Sequence, residues 1–182
     1  KVSGALRLRA TGTASAASLA AIDGRIVIEP DTMTLRDVPF TLPQAAAVRI
    51  KDGRAIAEDV TVTAPGTTAT VSGTVGLTGD RALEARLSAS GALGFLSSVV
   101  PGRVAGAFNA TFKATGTAAD PQLSGRLSLD HAAWVWPEQR LALRDWSGEA
   151  IVSAETITIE NLAGHLNGGE ADVAGTVTFG GA

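Results

Sequence analysis

Gly24-Arg-Ile-Val-Ile returns about one hundred residues later as Gly125-Arg-Leu-Ser-Leu, and Val71-Ser-Gly-Thr-Val returns as Val173-Ala-Gly-Thr-Val. The opening Val2-Ser-Gly-Ala-Leu, with Ala-Thr-Gly-Thr at residues 10–13, aligns with Val104-Ala-Gly-Ala-Phe and the Ala-Thr-Gly-Thr at residues 114–117. An internal repeat restricts the fold more than composition does. Whatever one unit forms must be formed twice, and the two copies must continue or stack on one another. We assign residues 1–80 to the first copy, residues 104–182 to the second, and residues 81–103 to a joining segment of one further strand and a short helix.

Inside each copy apolar residues recur at every second position, the pattern of strands with one face buried and one wet. In the second copy Val104, Phe108, Ala110 and Phe112 share a parity, as do Leu123, Leu127 and Leu129; Ile157 and Ile159; and Ala171, Val173 and Val177, ending at Phe179. The first copy carries the pattern on Leu6 and Leu8, Ile26 and Ile28, Val48 and Ile50, Val60 and Val62, and Val71, Val75 and Leu77. Turn-forming pairs fall between the runs: Asp23-Gly24, Asp52-Gly53, Gly79-Asp80, Asp120-Pro121 and Asn167-Gly168. Their spacing predicts antiparallel meander connections. Residues 91–101 are the helical exception, with Leu93, Leu96 and Val100 on one face, Ser90 placed to cap the start and Pro101-Gly102 to stop it.

Ala, Gly and Thr make up about 40% of the chain, so many nominally apolar positions carry little side-chain area and a thick core is hard to build. The expected fold is therefore all-β: an open, curved antiparallel sheet of two tandem repeats with one short helix between them. Its apolar face requires cover, which curling into a trough, closing into a barrel or packing as a sandwich would each supply. Small residues on the inner parity favour sharp curvature and leave space in a trough. Such space is a conduit or a binding groove. The groove candidates are Val104, Phe108, Phe112, Leu123, Leu127, Leu129, Ile157, Ile159, Val173, Val177 and Phe179, with Leu6, Leu8, Ile26, Ile28, Val71, Val75 and Leu77 in the first copy. Trp134 and Trp136 share a parity and, with Trp146, form either a rim on the trough or local packing where other side chains are small.

Chemistry is sparse. Acidic and basic residues number 18 and 15 with no basic cluster, which argues against a nucleic-acid partner. The absence of cysteine removes disulfides, thiolate nucleophiles and thiolate metal sites. His131 and His165 are the only histidines and lie in different segments, so both read as surface residues. Asp145, Glu149, Glu155 and Glu160 fall on the outer parity or in turns, as a solvated face. Residues 164–169 are too short a glycine-rich stretch to cradle a phosphate, and no nucleophile elbow or dinucleotide fingerprint occurs. No enzyme activity, cofactor or metal is expected. The chain starts in mid-pattern and stops at Phe179-Gly-Gly-Ala, so it reads as a piece of a longer protein whose open sheet edges can pair in a dimer.

Residues 116–129 read Gly-Thr-Ala-Ala-Asp-Pro-Gln-Leu-Ser-Gly-Arg-Leu-Ser-Leu, a Gly-Thr, then Asp-Pro-x-Leu-x-Gly, then an alternating strand. This resembles the TamB and AsmA-like superfamily. The likeness extends through Val-Pro-Gly-Arg-Val-Ala-Gly-Ala-Phe at residues 100–108 and through the strand, strand, Gly-Gly, strand order of residues 143–177. The first copy matches more loosely: Ala17-Ser18-Leu19 stands where Asp-Pro would, and Pro30, Pro39 and Pro43 are expected to break strands early. The resemblance implies a periplasmic β-taco, a U-shaped trough lined by apolar side chains. In such proteins it is anchored at the inner membrane of a diderm bacterium and linked to outer-membrane biogenesis. The implied partners are phospholipid acyl chains, an outer-membrane barrel of the TamA type, and nascent outer-membrane proteins.

Overall fold

The computed structural model describes residues 2–3, 7–15, 21–35 and 38–179, and nearly all of them are β. Four short strands open the chain: β1 (Val2–Ser3), β2 (Leu8–Ala14), β3 (Ile22–Ile28) and β4 (Asp31–Leu35). They are followed by β5 (Val38–Leu42), β6 (Ala46–Lys51), β7 (Arg54–Ala64), β8 (Thr67–Gly76) and β9 (Leu83–Ala92). The remaining strands are β10 (Arg103–Gly116), β11 (Pro121–Trp136), β12 (Leu141–Ser153), β13 (Thr156–Leu166) and β14 (Gly169–Thr178). All join one antiparallel sheet that is open and curved, with β14 at one end and β1 and β2 at the other.

The turn chemistry explains most of the connections. Asp52-Gly53 and Asn167-Gly168 have positive φ at both residues and link strands whose flanking residues pair directly, Lys51 with Arg54 and Leu166 with Gly169. That is the two-residue hairpin geometry whose twist matches the strands it joins. Asp23-Gly24 is different. It lies inside β3, paired with Thr13 and Gly12, so the turn expected there is absent. The helical segment is a 3₁₀ helix, Leu93–Ser98, preceded by Ala92; Ser90 belongs to β9 and does not cap it. A second 3₁₀ turn spans Pro137–Gln139.

From β8 to β14 the sheet is the expected meander, whereas the first copy branches. One edge of β7 is shared: β6 pairs with it at residues 54–57, and β5 meets it at Thr63 through Thr41. The break follows from sequence. Pro30 falls between β3 and β4 and Pro43 between β5 and β6, where a residue without an N–H cannot continue a ladder. Pro39 does not break a strand; it sits within β5 opposite Thr34.

Register shows how far the repeat is structural. Ile26 pairs with Val48 as Leu127 pairs with Ala150, and Val60 pairs with Val71 as Leu162 pairs with Val173. The two Ala-Thr-Gly-Thr segments are not equivalent, however. Ala10 lies opposite Ile26, and the residue opposite the equivalent Leu127 is Ala110, four positions before Ala114.

Burial is thin throughout. Among the described residues the buried apolar ones are Val38, Ala46, Ala110, Ala132 and Trp146, and none is completely enclosed. The chain exposes 11532 Å², where a compact 18.4 kDa monomer exposes about 8,200 Å². A sheet closed on itself or sandwiched would have removed that excess.

Candidate functional site

Whether the apolar residues form one surface depends on strand register, because a one-residue slip turns a side chain to the other face. The ladder runs Leu8, Ile28, Ala46 across β2, β3 and β6, and Ile26, Val48, Ala57, Gly73, Ala85 onward to β9. From β9 it continues as Leu87, Phe112, Gly125, Val152, Ile157, Val177, with Phe108 beside Leu129 one step along. Val71 pairs with Leu87, Val75 with Leu83, Leu123 with Ala114, Ile159 with Gly175, and Val104 with Trp134. All of these candidates therefore share one face. Leu77 and Phe179 extend it just past the strand ends, where their amides bond to Gly53 and Glu155. Leu6 lies outside the described residues.

Four strands sustain this face through β-bulges. In β7, β11, β12 and β13 the register shifts at Glu58-Asp59, Asp130-His131, Arg144-Asp145 and Glu160-Asn161. Asp59, His131 and Asp145 have positive φ, a conformation that Asp, Asn and His tolerate better than most residues. The bulge at Asp130-His131 brings Ala132, Trp134 and Trp136 onto the face that Leu123, Leu127 and Leu129 occupy, although their parity is opposite. Alternation alone misses this. The signal that would have found it is a pair of adjacent polar residues between two apolar ones, which occurs at all four places.

The tryptophans pack rather than protrude. Trp134 and Trp136 stack with centroids 5.6 Å apart, and the Trp134 Nε1–H donates to the Pro101 carbonyl at 2.8 Å. Trp146 is 8% exposed and lies against Gly164, where a Cβ would come within 2.7 Å of its ring; its Nε1–H donates to the His165 carbonyl at 3.0 Å. A large ring laid over a cross-strand glycine replaces the contact area the glycine lacks. The Trp136 Nε1 is buried without a hydrogen-bond partner.

Two hollows mark the apolar face. One, of about 230 Å³, is lined by Leu93, Val104, Leu129, Trp134, Trp146 and Leu162 among others, with the 3₁₀ helix at its end. The other, of about 200 Å³, lies over β6 to β9 between Val48, Ala57, Val71, Val75 and Leu83. Leu93, Leu143, Trp146 and Leu162 are lining residues that parity did not single out as candidates. Eleven strands lie side by side from β2 to β14, so at about 4.8 Å per step the face runs about 48 Å across them.

The opposite face is polar. A depression there is bordered by Asp59, Thr70, Ser72, Arg86, Thr111, Lys113 and Ser124, and its two cations share one carboxylate, Glu84, at 3.9 and 3.6 Å. Arg126 pairs with Glu149 at 3.1 Å, and Arg49 pairs with Glu58. His131 and His165 are exposed, the former 2.9 Å from the Asp130 carboxylate. Asp145 and Glu160 lie in bulges and Glu155 in a turn. Among the described residues no three His, Asp or Glu gather where a metal could bind, and no helix is long and apolar enough to cross a membrane. No family model, curated protein or solved structure matches this chain.

Proposed function

We propose that this chain is a periplasmic segment of a TamB-like protein whose apolar face carries phospholipid acyl chains between inner and outer membranes. The observation behind this reading is the single open face on which Leu, Ile, Val, Phe and Trp side chains of both repeats line up without a covering layer. The face is longer than the roughly 30 Å of hydrocarbon in a bilayer, so lipid tails fit along it. At about 0.8 kcal/mol per methylene, a sixteen-carbon chain leaving water for a dry trough gains about 10 kcal/mol. Small aliphatic side chains spread that gain evenly, so no position holds a tail much more tightly than the next and sliding costs little.

The same resemblance carries a second role, assembly of outer-membrane β-barrel proteins with a TamA-type partner. The open sheet favours it, because unpaired edge strands can pair with a nascent strand. Photocrosslinking in cells separates the readings. A probe at Leu127, on the apolar face, should yield a covalent phospholipid adduct, while the same probe at Arg126, on the polar face, should not. Fragments of outer-membrane barrels at Leu127 would favour the assembly role. Absence of any adduct at Leu127 would remove both in favour of a structural β-repeat.

A further inference from the structure

Carboxylates answer several cations of the polar face: Arg49 meets Glu58, Arg126 meets Glu149, and Arg86 and Lys113 share Glu84. At the rim where β10 begins and β11 ends the balance is different. A hollow of about 540 Å³ opens there, lined by Gly102, Arg103, Val135, Pro137 and Arg144. It holds two arginines and no carboxylate, and among the described residues neither arginine has an ion-pair partner.

Strand pairing brings these side chains together although they are far apart in sequence. Arg103 lies directly opposite Val135, and the flanking Trp134 and Trp136 belong to the apolar face, so Arg103 and Val135 stand on the polar one. Gly102 lets the chain enter β10 this close to β11, since a Cβ on it would collide with the Val135 carbonyl. On the other side of β11, Leu143 pairs with Trp134, so the next residue, Arg144, also faces the polar side, in the bulge it shares with Asp145. The two arginines therefore enter one hollow from β10 and β12, whose backbones are two strand spacings, about 10 Å, apart. The acidic residues around them do not neutralise them. Glu138 and Asp145 are chain neighbours of the hollow but do not line it, and Glu170 is separated from Arg144 by His165 on the intervening strand.

We propose that Arg103 and Arg144 form a binding site for a tetrahedral oxyanion of the phosphate class. Two like charges in one hollow repel each other, and the Val135 and Pro137 side chains offer them no acceptor. A carboxylate has two oxygens in one plane, which a single guanidinium fork satisfies; two forks arriving from different strands suit an anion with oxygens on more than one side. A phosphate supplies these, and its charge offsets the repulsion. Both arginines are exposed, so water competes and affinity is expected at about millimolar concentration. Inorganic phosphate and the headgroup of a phospholipid present the same group to this site. The site does not rest on lipid carriage, because it lies across the sheet from the apolar face.

The test follows the arginine Nε–H signals of the isotopically labelled full chain by nuclear magnetic resonance at low ionic strength. Inorganic phosphate should shift the Arg103 and Arg144 signals along one saturating curve with a midpoint of about 1–10 mM. Arg81, exposed and without an ion pair, and Arg126, held by Glu149, should move little. Arg103→Gln and Arg144→Gln should each weaken binding about tenfold, and Arg103→Lys about threefold, since an ammonium keeps the charge and loses the fork. The backbone amide spectrum checks that each variant keeps the sheet. Dihexanoyl phosphatidic acid below its micelle concentration then identifies the source. Binding about tenfold tighter than inorganic phosphate, and weakened by Arg144→Gln, assigns a lipid headgroup; equal affinity assigns free phosphate, and either result retains the site. Shifts of equal size and midpoint at Arg81, the same response to chloride at matched ionic strength, or unchanged affinity in either glutamine variant would overturn the proposal. A failure of phospholipid crosslinking at Leu127 would leave it standing.

Discussion

The two copies build the same ladder by different means. In the second copy β11 and β12 run 16 and 13 residues without interruption and absorb the excess twist of long strands in bulges at Asp130-His131 and Arg144-Asp145. In the first copy the corresponding chain is cut at Pro30 and Pro43 into four strands of five to seven residues, and the sheet forks on β7. Where neither device differs, the copies agree closely: β7 and β13 both bulge two residues before an apolar one, Val60 and Leu162. A bulge keeps hydrogen bonding across the break and re-aims the side chains beyond it. A proline gives up the ladder and lets the two halves diverge.

The largest effect is expected from shifting register beyond a bulge. Inserting one alanine between Ala132 and Ala133 adds a residue to β11 past the bulge, so Trp134 and Trp136 must either turn to the polar face or drag the strand out of register. Urea unfolding should lose more than about 4 kcal/mol, and tryptophan emission should shift to the red. An unchanged emission maximum would mean that register beyond the bulge does not set the face. Next comes Trp146→Ala. This ring is among the few well-buried side chains and spans β12 and β13 over Gly164, so its loss should cost about 3–4 kcal/mol by the same measurement.

If the apolar face carries lipid as proposed, the two copies should do so alike. Ile26 and Leu127 occupy equivalent places, each half-buried on the apolar face. Ile26→Asp and Leu127→Asp should each lower phospholipid capture about fivefold, since each replaces about 1 kcal/mol of apolar contact with a carboxylate that keeps its water. Binding by vesicle-loaded chain, with circular dichroism to confirm the sheet, checks this. Loss in the second copy alone would show that the fork at β7 interrupts the groove.

These contrasts also show how much was legible in the sequence. Alternation in segments such as Phe108 to Phe112 and Leu123 to Leu129 was enough for the strands, because a half-buried strand imposes a period of two on the sequence, but the same period suits a trough, a barrel or a sandwich. The equivalence of Val71 with Val173 was legible for the same reason. The pairing of Ala10 was not: identical Ala-Thr-Gly-Thr letters tolerate a four-residue slide, which keeps the same face, and only cross-strand partners fix the register. Nor did parity reveal that Trp134 shares a face with Leu129, since a bulge is a tertiary response to twist and leaves only a polar doublet as its trace. The forked sheet was foreshadowed by Pro30 and Pro43, but Pro39 looks the same in sequence and sits inside a strand, because what matters is which edge the missing N–H faces.

The smallest effect belongs to the polar face. Arg126 neighbours Leu127 in sequence but points the opposite way, reaching across to Glu149 at 3.1 Å with both side chains substantially exposed. In water such a pair gains little Coulomb energy and gives up side-chain freedom, so a double-mutant cycle with Arg126→Ala and Glu149→Ala should return a coupling of about 0.2–1 kcal/mol at low salt. At 1 M salt the screening length is about 3 Å and the coupling should vanish. Lipid capture should be the same in all four corners of the cycle. A coupling well above 1 kcal/mol that survived salt would mean that the polar face, rather than the packed tryptophans and the hydrogen-bonded ladder, holds the second copy in its continuous form. Arg49 and Glu58, an exposed pair that joins β6 to β7 in the first copy, would then become the place to look for why that copy forks.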